Sequence, residues 1–213
     1  EQELKEYSAE NAKNGEIYLA LLGEVFNVTL GAMYQKDGGY DFFTGKDGSA
    51  AFVTGQFNEE GLKADVRSLS PNQVLGIWEW TDFYRTHEHY QFVGYLTGLY
   101  YNEKGEKTKA WHEMYDLLQK GLKEKENEDE MKKKWPGCNM RSSADGRSFW
   151  CADGSGGIQR GWAGYPRIFH KLGGKKSDQR CVCAPKEKLN DPQLRLYEGC
   201  APDSDRCELP PSV

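Results

Sequence analysis

The chain has 213 residues, of which 38% are hydrophobic and 29% are charged, a composition typical of a globular protein with one large or two small domains. Its longest strongly apolar stretch, Ile17–Leu22, is far shorter than the roughly 18 residues of a membrane-spanning helix, so no transmembrane segment is predicted. The net charge of −5 is uneven, because residues 1–98 hold 15 acidic and 7 basic side chains. This acidity argues against nucleic acid as a partner.

The N-terminal segment predicts a short helix followed by a β-hairpin. The chain starts EQELKEYS, which has no basic start before an apolar run, so no signal peptide is predicted. Ser8 is a candidate helix N-cap. Ile17–Leu22 and Val25–Thr29 are rich in strand-forming residues and flank a turn, which predicts the hairpin. Asn27 begins an Asn-Val-Thr sequon, a glycan acceptor if the chain enters the secretory pathway.

A loop rich in glycine and aromatic residues follows the hairpin. Tyr34, Tyr40, Phe42 and Phe43 lie close to glycines 38, 39 and 45 in sequence. Glycines punctuate a loop, and aromatic side chains between them form either a pocket wall or a cramped core. Core filling is the more common role of such residues.

Two helices and a strand complete the first predicted unit. Residues 47–49 could cap a helix over residues 50–54, and Ser70-Pro71 is a strong helix start. We expect the helix of residues 74–86 to pack on more than one face. Strand-forming residues return at Phe92–Thr97, and we place the end of a compact mixed unit at residue 98.

Residues 99–135 predict a turn and one long helix. Apolar residues recur at three- and four-residue steps from Thr108, which is typical of a helix that packs on a core; they are Trp111, Met114, Tyr115, Leu118 and Leu122. From residue 123 to 134 the chain is almost wholly charged. We interpret this part as a solvent-exposed helix or spacer, with a partner-binding helix as the alternative.

Residues 136–213 predict a small, loop-rich, cysteine-containing subdomain. The chain's six cysteines all lie here, at Cys138, Cys151, Cys181, Cys183, Cys200 and Cys207. An even, clustered set indicates disulfides and an oxidising compartment, whereas a zinc site is disfavoured by the absence of a Cys-x-x-Cys pair. Cys200 and Cys207 are close enough to pair locally. Cys181 and Cys183 point to one face of an extended strand, so we predict that they bind Cys138 and Cys151.

Long motifs along nearly the whole chain carry a family resemblance. IYLALLGEVFNVTLG, MYQKDGGYDFFTGKDGSAAFVTGQF and WTDFYRTHEHYQFVGYLTGLYYNEKG resemble the membrane-associated progesterone receptor family, the haem- and steroid-binding relatives of cytochrome b5. KWPGCNMRSSADGRSFWCADGSGGIQRGWAGYPR and RCVCAP resemble its longer members with a cysteine-rich tail. The resemblance implies an α+β, cytochrome-b5-like haem- and steroid-binding fold over residues 1–98, followed by a long helix and the disulfide-rich subdomain.

The resemblance also implies a non-covalent b-type haem held by tyrosine. The His-Pro-Gly-Gly motif of cytochrome b5 is missing, and the family's tyrosines match Tyr34, Tyr40 and Tyr90. The second tyrosine of the spaced pair is the family's iron ligand, which makes Tyr40 the expected axial ligand. His89 stands where relatives often have lysine, and it is a candidate sixth ligand or hydrogen-bond donor. Tyrosinate is an established haem ligand.

We therefore expect a secreted or lumenal haem-binding protein with a non-catalytic, regulatory role. The resemblance implies a part in neuronal differentiation. No nucleophilic triad, phosphate-binding loop or metalloprotease motif is present, so the sequence does not predict an enzyme. The alternatives are an electron-transfer partner of cytochrome P450 and a steroid-binding module. A homodimer mediated by haem is a further expectation.

Overall fold

The computed structural model describes residues 3–171, 173 and 178–211. These residues form two compact units, residues 1–125 and 126–213. The α+β class is confirmed, because each described unit combines a small sheet with helical segments. The three-part division at residues 98 and 135 remains a prediction. Within the described part of the chain, no helix is long and apolar enough to cross a membrane.

The first unit contains one three-stranded antiparallel sheet, two complete α-helices and the N-terminal part of a third, which continues past residue 125. Its elements are β1 (Tyr18–Leu21), β2 (Glu24–Asn27), α1 (Ala51–Thr54), α2 (Pro71–Thr86), β3 (Gln91–Tyr95) and α3 (Lys109–Lys134). The strand order is β1-β2-β3. The N-terminal segment is a 3-10 helix, Leu4–Tyr7, that ends at Ser8, so the prediction that Ser8 begins a helix is wrong.

The predicted hairpin is confirmed, and two side chains accept hydrogen bonds from the backbone of its turn. Leu22 and Gly23 both have positive φ, 50° and 76°, as a two-residue hairpin turn requires. The Leu22 N–H donates to Ser49 Oγ at 2.8 Å, and the Gly23 N–H donates to Asp47 Oδ2 at 2.8 Å. No side chain caps the short helix that Asp47 and Ser49 precede. Their predicted capping role is therefore wrong, because both side chains bind the hairpin instead.

Helix α2 begins where the sequence predicts, with a complete capping box. Ser70 Oγ accepts a hydrogen bond from the Gln73 N–H at 3.3 Å, and the Ser70 N–H donates to Gln73 Oε1 at 3.1 Å. Pro71 occupies the first turn, where its missing N–H costs nothing. Val74 and Ile77 lie three residues apart on this helix and are completely buried. They belong to the face of the helix that packs into the core.

The predicted apolar stripe of α3 packs into the core of the first unit. Trp111, Met114 and Leu118 are buried there, whereas Leu122 is exposed. A Cβ on Gly121 would lie 2.4 Å from the Pro71 carbonyl oxygen, so only glycine permits this approach of α3 to the start of α2. The charged residues that follow are helical to Lys134 and largely exposed, as the solvent-exposed interpretation predicts.

The second unit contains two three-stranded antiparallel sheets that the sequence analysis did not predict. Its strands are β4 (Asn139–Ser143), β5 (Gly146–Trp150), β6 (Tyr165–Phe169), β7 (Arg180–Ala184), β8 (Leu194–Arg195) and β9 (Arg206–Leu209). The orders are β4-β5-β9 and β7-β6-β8. A small core contains Trp135, Phe169, Val182, Ala184 and Leu194.

The predicted grouping of the cysteines agrees with the structure, which also gives the individual pairs that the prediction left open. The bonds are Cys138–Cys181, Cys151–Cys183 and Cys200–Cys207. Strand β7 therefore presents its two cysteines to two different partners, as an extended strand with its side chains alternating in direction allows.

Replacing Ser70 with alanine tests the capping box. We expect Ser70→Ala to lower the free energy of unfolding by about 1 kcal/mol, because the Gln73 N–H loses its acceptor. Urea unfolding followed by circular dichroism measures the change. Ser68→Ala is the matched control, since Ser68 is exposed and lies before the helix. Equal losses in both variants would contradict the assignment of the cap.

Candidate functional site: an aromatic cleft

A short loop brings Tyr34 and Tyr40 together. The Tyr40 N–H donates to the Met33 carbonyl at 2.9 Å, so the chain turns back on itself between the two tyrosines. A Cβ on Gly38 would lie 2.4 Å from that carbonyl oxygen, which explains the need for glycine in this turn. The two tyrosine ring centroids are 6.0 Å apart. The spaced tyrosine pair of the sequence is thus one structural unit.

Helix α2 contributes a third tyrosine that the sequence analysis missed. The hydroxyls of Tyr34 and Tyr84 are 2.5 Å apart and form a buried hydrogen bond. Tyr34 is 6% exposed and Tyr84 is 1% exposed. Burial raises the pKa of Tyr34 to about 12, and it also raises the pKa of Tyr84, with a smaller contribution from the neighbouring Tyr34. Both side chains are therefore neutral phenols at physiological pH.

These tyrosines line a cavity of about 140 Å³ whose walls are almost wholly aromatic. The lining residues are Tyr34, Tyr40, Phe43, Phe52, Phe57, Trp80 and Tyr84. Trp80 and Tyr84 are four residues apart on α2, which places them on one face of the helix. This spacing is the feature of the sequence from which both residues could have been found.

Tyr40 differs from the other cleft tyrosines in its exposure. It is 46% exposed, and its hydroxyl makes no hydrogen bond within the described residues. Its phenol oxygen is therefore available to a ligand without the loss of an existing bond. Tyr34 and Tyr84 would each have to give up a buried hydrogen bond, which is costly.

Tyr90 lies against the tyrosine pair but does not line the cavity. Its ring stacks on Tyr84 with centroids 5.4 Å apart and meets the edge of Tyr34 at 5.8 Å. On another side, the His87 ring stacks on Tyr90 at 4.0 Å. Burial raises the pKa of Tyr90. These contacts make Tyr90 a support for the two buried phenols.

The structure does not bring His89 into the cavity lining. Its Nε2 lies 3.2 Å from a Glu88 carboxylate oxygen, and its backbone N–H donates to His87 Nδ1 at 3.2 Å. The imidazole is exposed at the end of the turn that follows α2. The prediction of His89 as a cofactor contact therefore has no support among the contacts of the cleft.

Asn27, the predicted glycan acceptor, lies at the end of β2 and is half-buried. Its Oδ1 accepts hydrogen bonds from the Thr29 N–H at 3.0 Å and the Thr29 hydroxyl at 2.6 Å. Its Nδ2 donates to Glu16 at 3.4 Å. Glycosylation of Asn27 stays a prediction.

Comparison with known proteins gives the family of the chain. No protein-family model matches it. A candidate steroid-binding protein of Arabidopsis, known from a solution structure, is 28% identical over 43% of this chain and 96% of that chain, with a TM-score of 0.35, too low to support a structural argument. Neuferricin of Xenopus tropicalis is 40% identical over 98% of this chain and 81% of its own length. Neuferricin of Danio rerio is 41% identical over 91% of this chain and 73% of its own length. Human neuferricin is 36% identical over 98% of this chain and 84% of its own length. The chain belongs to the neuferricin family.

Proposed function

We propose that the first unit binds haem in the aromatic cleft, with Tyr40 as the axial ligand to iron. The observation that carries this proposal is the half-exposed phenol of Tyr40 in a cavity whose other lining residues are also aromatic. The remaining rings offer flat apolar surface to a macrocycle, and the Tyr34–Tyr84 hydrogen bond holds two of them in place.

The residues present fit such a group in donor chemistry, because a phenol oxygen and flat aromatic side chains meet at one cavity. Bound haem would supply a ferric iron, which replaces the phenol proton as metals do with other acidic ligands. The cavity of about 140 Å³ is smaller than the roughly 300–1,000 Å³ of enclosed ligand pockets. A haem-sized ligand would therefore extend beyond the cavity and keep part of its surface exposed, which is compatible with the expected haem-mediated homodimer.

The donor type favours holding or sensing haem over electron transfer. A hard anionic oxygen stabilises ferric iron relative to ferrous iron, which lowers the reduction potential and disfavours shuttling to a cytochrome P450. The three disulfides favour a secreted or lumenal location, because such bonds persist in oxidising compartments. We therefore propose a non-catalytic, regulatory role, including the neuronal differentiation expected from the family resemblance.

Substituting Tyr40 tests the ligand. We expect the protein reconstituted with haemin to show a ferric phenolate absorption spectrum, and Tyr40→Phe to abolish it because the donor oxygen is gone. Haemin affinity should fall by more than the roughly 10- to 100-fold typical for loss of an outer-shell partner. Tyr95→Phe is the matched control, since Tyr95 is 48% exposed and does not line the cavity. An unchanged spectrum in Tyr40→Phe would reject Tyr40 as ligand.

The neutral tyrosine pair predicts how the stability of the cleft depends on pH. The pKa of Tyr34 lies at about 12, above its ordinary value of 10. The folded state therefore favours the neutral phenol, and this stabilisation is complete below pH 10 and is lost as the pH rises towards 12. We expect the free energy of unfolding, measured with urea, to fall across this range.

The double variant Tyr34→Phe/Tyr84→Phe isolates the contribution of the pair. Its free energy of unfolding should fall less over the same pH range than that of the wild type. Burial also raises the pKa values of other tyrosines, such as Tyr100 and Tyr101. Part of the fall in the free energy of unfolding with pH therefore remains in both proteins. Identical slopes would show that the pair contributes nothing to the pH dependence.

A steroid or another flat apolar molecule is the second candidate ligand, favoured by the aromatic lining. Because the cavity is small, we expect haem and steroid to compete for it. Titration of a fluorescent steroid against haem-free and haem-loaded protein measures this competition. Equal steroid affinity in both forms would place steroid binding outside the cleft.

A further inference from the structure

Four cysteine sulfurs of the second unit form one cluster. The Sγ atoms of Cys138, Cys151 and Cys183 all lie within 4.8 Å of one another. Cys181 belongs to the same group, because its sulfur is bonded to that of Cys138. The two disulfides are therefore adjacent in space. The remaining pair, Cys200 and Cys207, is not part of this group.

Backbone hydrogen bonds hold these cysteines in place independently of the sulfur bonds. The Cys183 N–H donates to the Pro136 carbonyl at 2.7 Å, and the Cys138 N–H donates to the Cys181 carbonyl at 3.4 Å. The segment before β4 thus runs antiparallel to β7, with Gly137 opposite Val182. Because none of these hydrogen bonds involves sulfur, we expect the pairing to keep the thiols near one another when the disulfides are reduced.

The cluster is partly enclosed by the glycine-rich loop that follows β5. A Cβ on Gly156 would lie 2.5 Å from the Gly137 backbone nitrogen, so the loop approaches the segment of Cys138 backbone to backbone. Cys183 and Cys151 are buried, whereas Cys138 and Cys181 are half-buried. The outer disulfide is consequently the one that a reductant reaches first.

The distances suit a tetrahedral metal ion once the sulfur bonds are open. Zinc binds thiolate at about 2.3 Å, so the sulfurs of a tetrahedral site are about 3.8 Å apart. The observed upper limit of 4.8 Å for three of the four is close to that spacing. The fourth sulfur, that of Cys181, is bonded to the sulfur of Cys138 with the two Cα atoms 5.5 Å apart, so rotation of these two side chains would have to bring it into the set.

We propose that the reduced second unit binds one Zn²⁺ through Cys138, Cys151, Cys181 and Cys183. Each of the two disulfides takes up two electrons and two protons, either from two thiol molecules that become a disulfide or from a phosphine and water that become a phosphine oxide, which gives four thiols. Zinc then displaces the four thiol protons and forms a tetrathiolate site. The same four residues would cross-link the unit by disulfides under oxidising conditions and by zinc under reducing ones. The proposal does not depend on haem binding.

Cobalt is the spectroscopic probe for this site. We expect the full chain, reduced by a phosphine without oxygen, to bind one Co²⁺ with thiolate charge-transfer bands and the ligand-field bands of tetrahedral cobalt. Zn²⁺ should displace the cobalt and remove the bands. The oxidised protein should show none of them. Absence of tetrahedral thiolate bands in the reduced chain overturns the proposal.

Paired variants and alkylation identify the ligands. The variant Cys200→Ser/Cys207→Ser should keep the cobalt spectrum. The variant Cys138→Ser/Cys181→Ser should lose it, although its Cys151–Cys183 disulfide still forms before reduction. A second measurement avoids variants that fail to fold. Zinc added to the reduced wild type should protect the four clustered cysteines from iodoacetamide and leave Cys200 and Cys207 reactive by mass mapping. Equal alkylation of all six cysteines would refute the site.

Discussion

The hydrogen bond between the Tyr34 and Tyr84 hydroxyls is the constraint on which the cleft depends. It connects the glycine-rich loop to α2 across fifty positions of sequence. A lone buried hydroxyl would cost free energy, whereas the pair satisfies itself. The capping box at Ser70 fixes where α2 begins and thereby where Tyr84 lies along the helix. The cavity walls follow from these two contacts.

The same contact separates the roles of tyrosines that are chemically alike. Burial holds Tyr34 and Tyr84 as neutral phenols that are already paired, so they act as structural groups. Tyr40 shares the loop of Tyr34 and lines the same cavity as both, but its side chain is half-exposed. Environment, and not residue type, distinguishes the candidate ligand from its supports.

Sequence reasoning succeeded where the determining residues are neighbours in the chain. The hairpin and the start of α2 at Ser70-Pro71 follow from local turn and capping rules, and alternation along β7 places Cys181 and Cys183 on one face. It failed where the partner is distant. Asp47 and Ser49 bind a turn more than twenty residues away, and Tyr84 enters the cleft through Tyr34. Strands β4 and β5 of the second unit have little alternation because Phe149 is their single buried residue.

The second unit shows how one backbone arrangement permits two kinds of cross-link. Its described core contains five buried residues, so covalent or metal cross-links add to the limited stabilisation that such a core supplies. Strand β7 supplies two cysteines on one face, and the paired segment before β4 supplies the backbone contacts that hold Cys138 beside them. Since those hydrogen bonds do not involve sulfur, we expect them to keep the thiols near one another after reduction. The identity of the cross-link is then set by the compartment, while the fold sets only which cysteines meet.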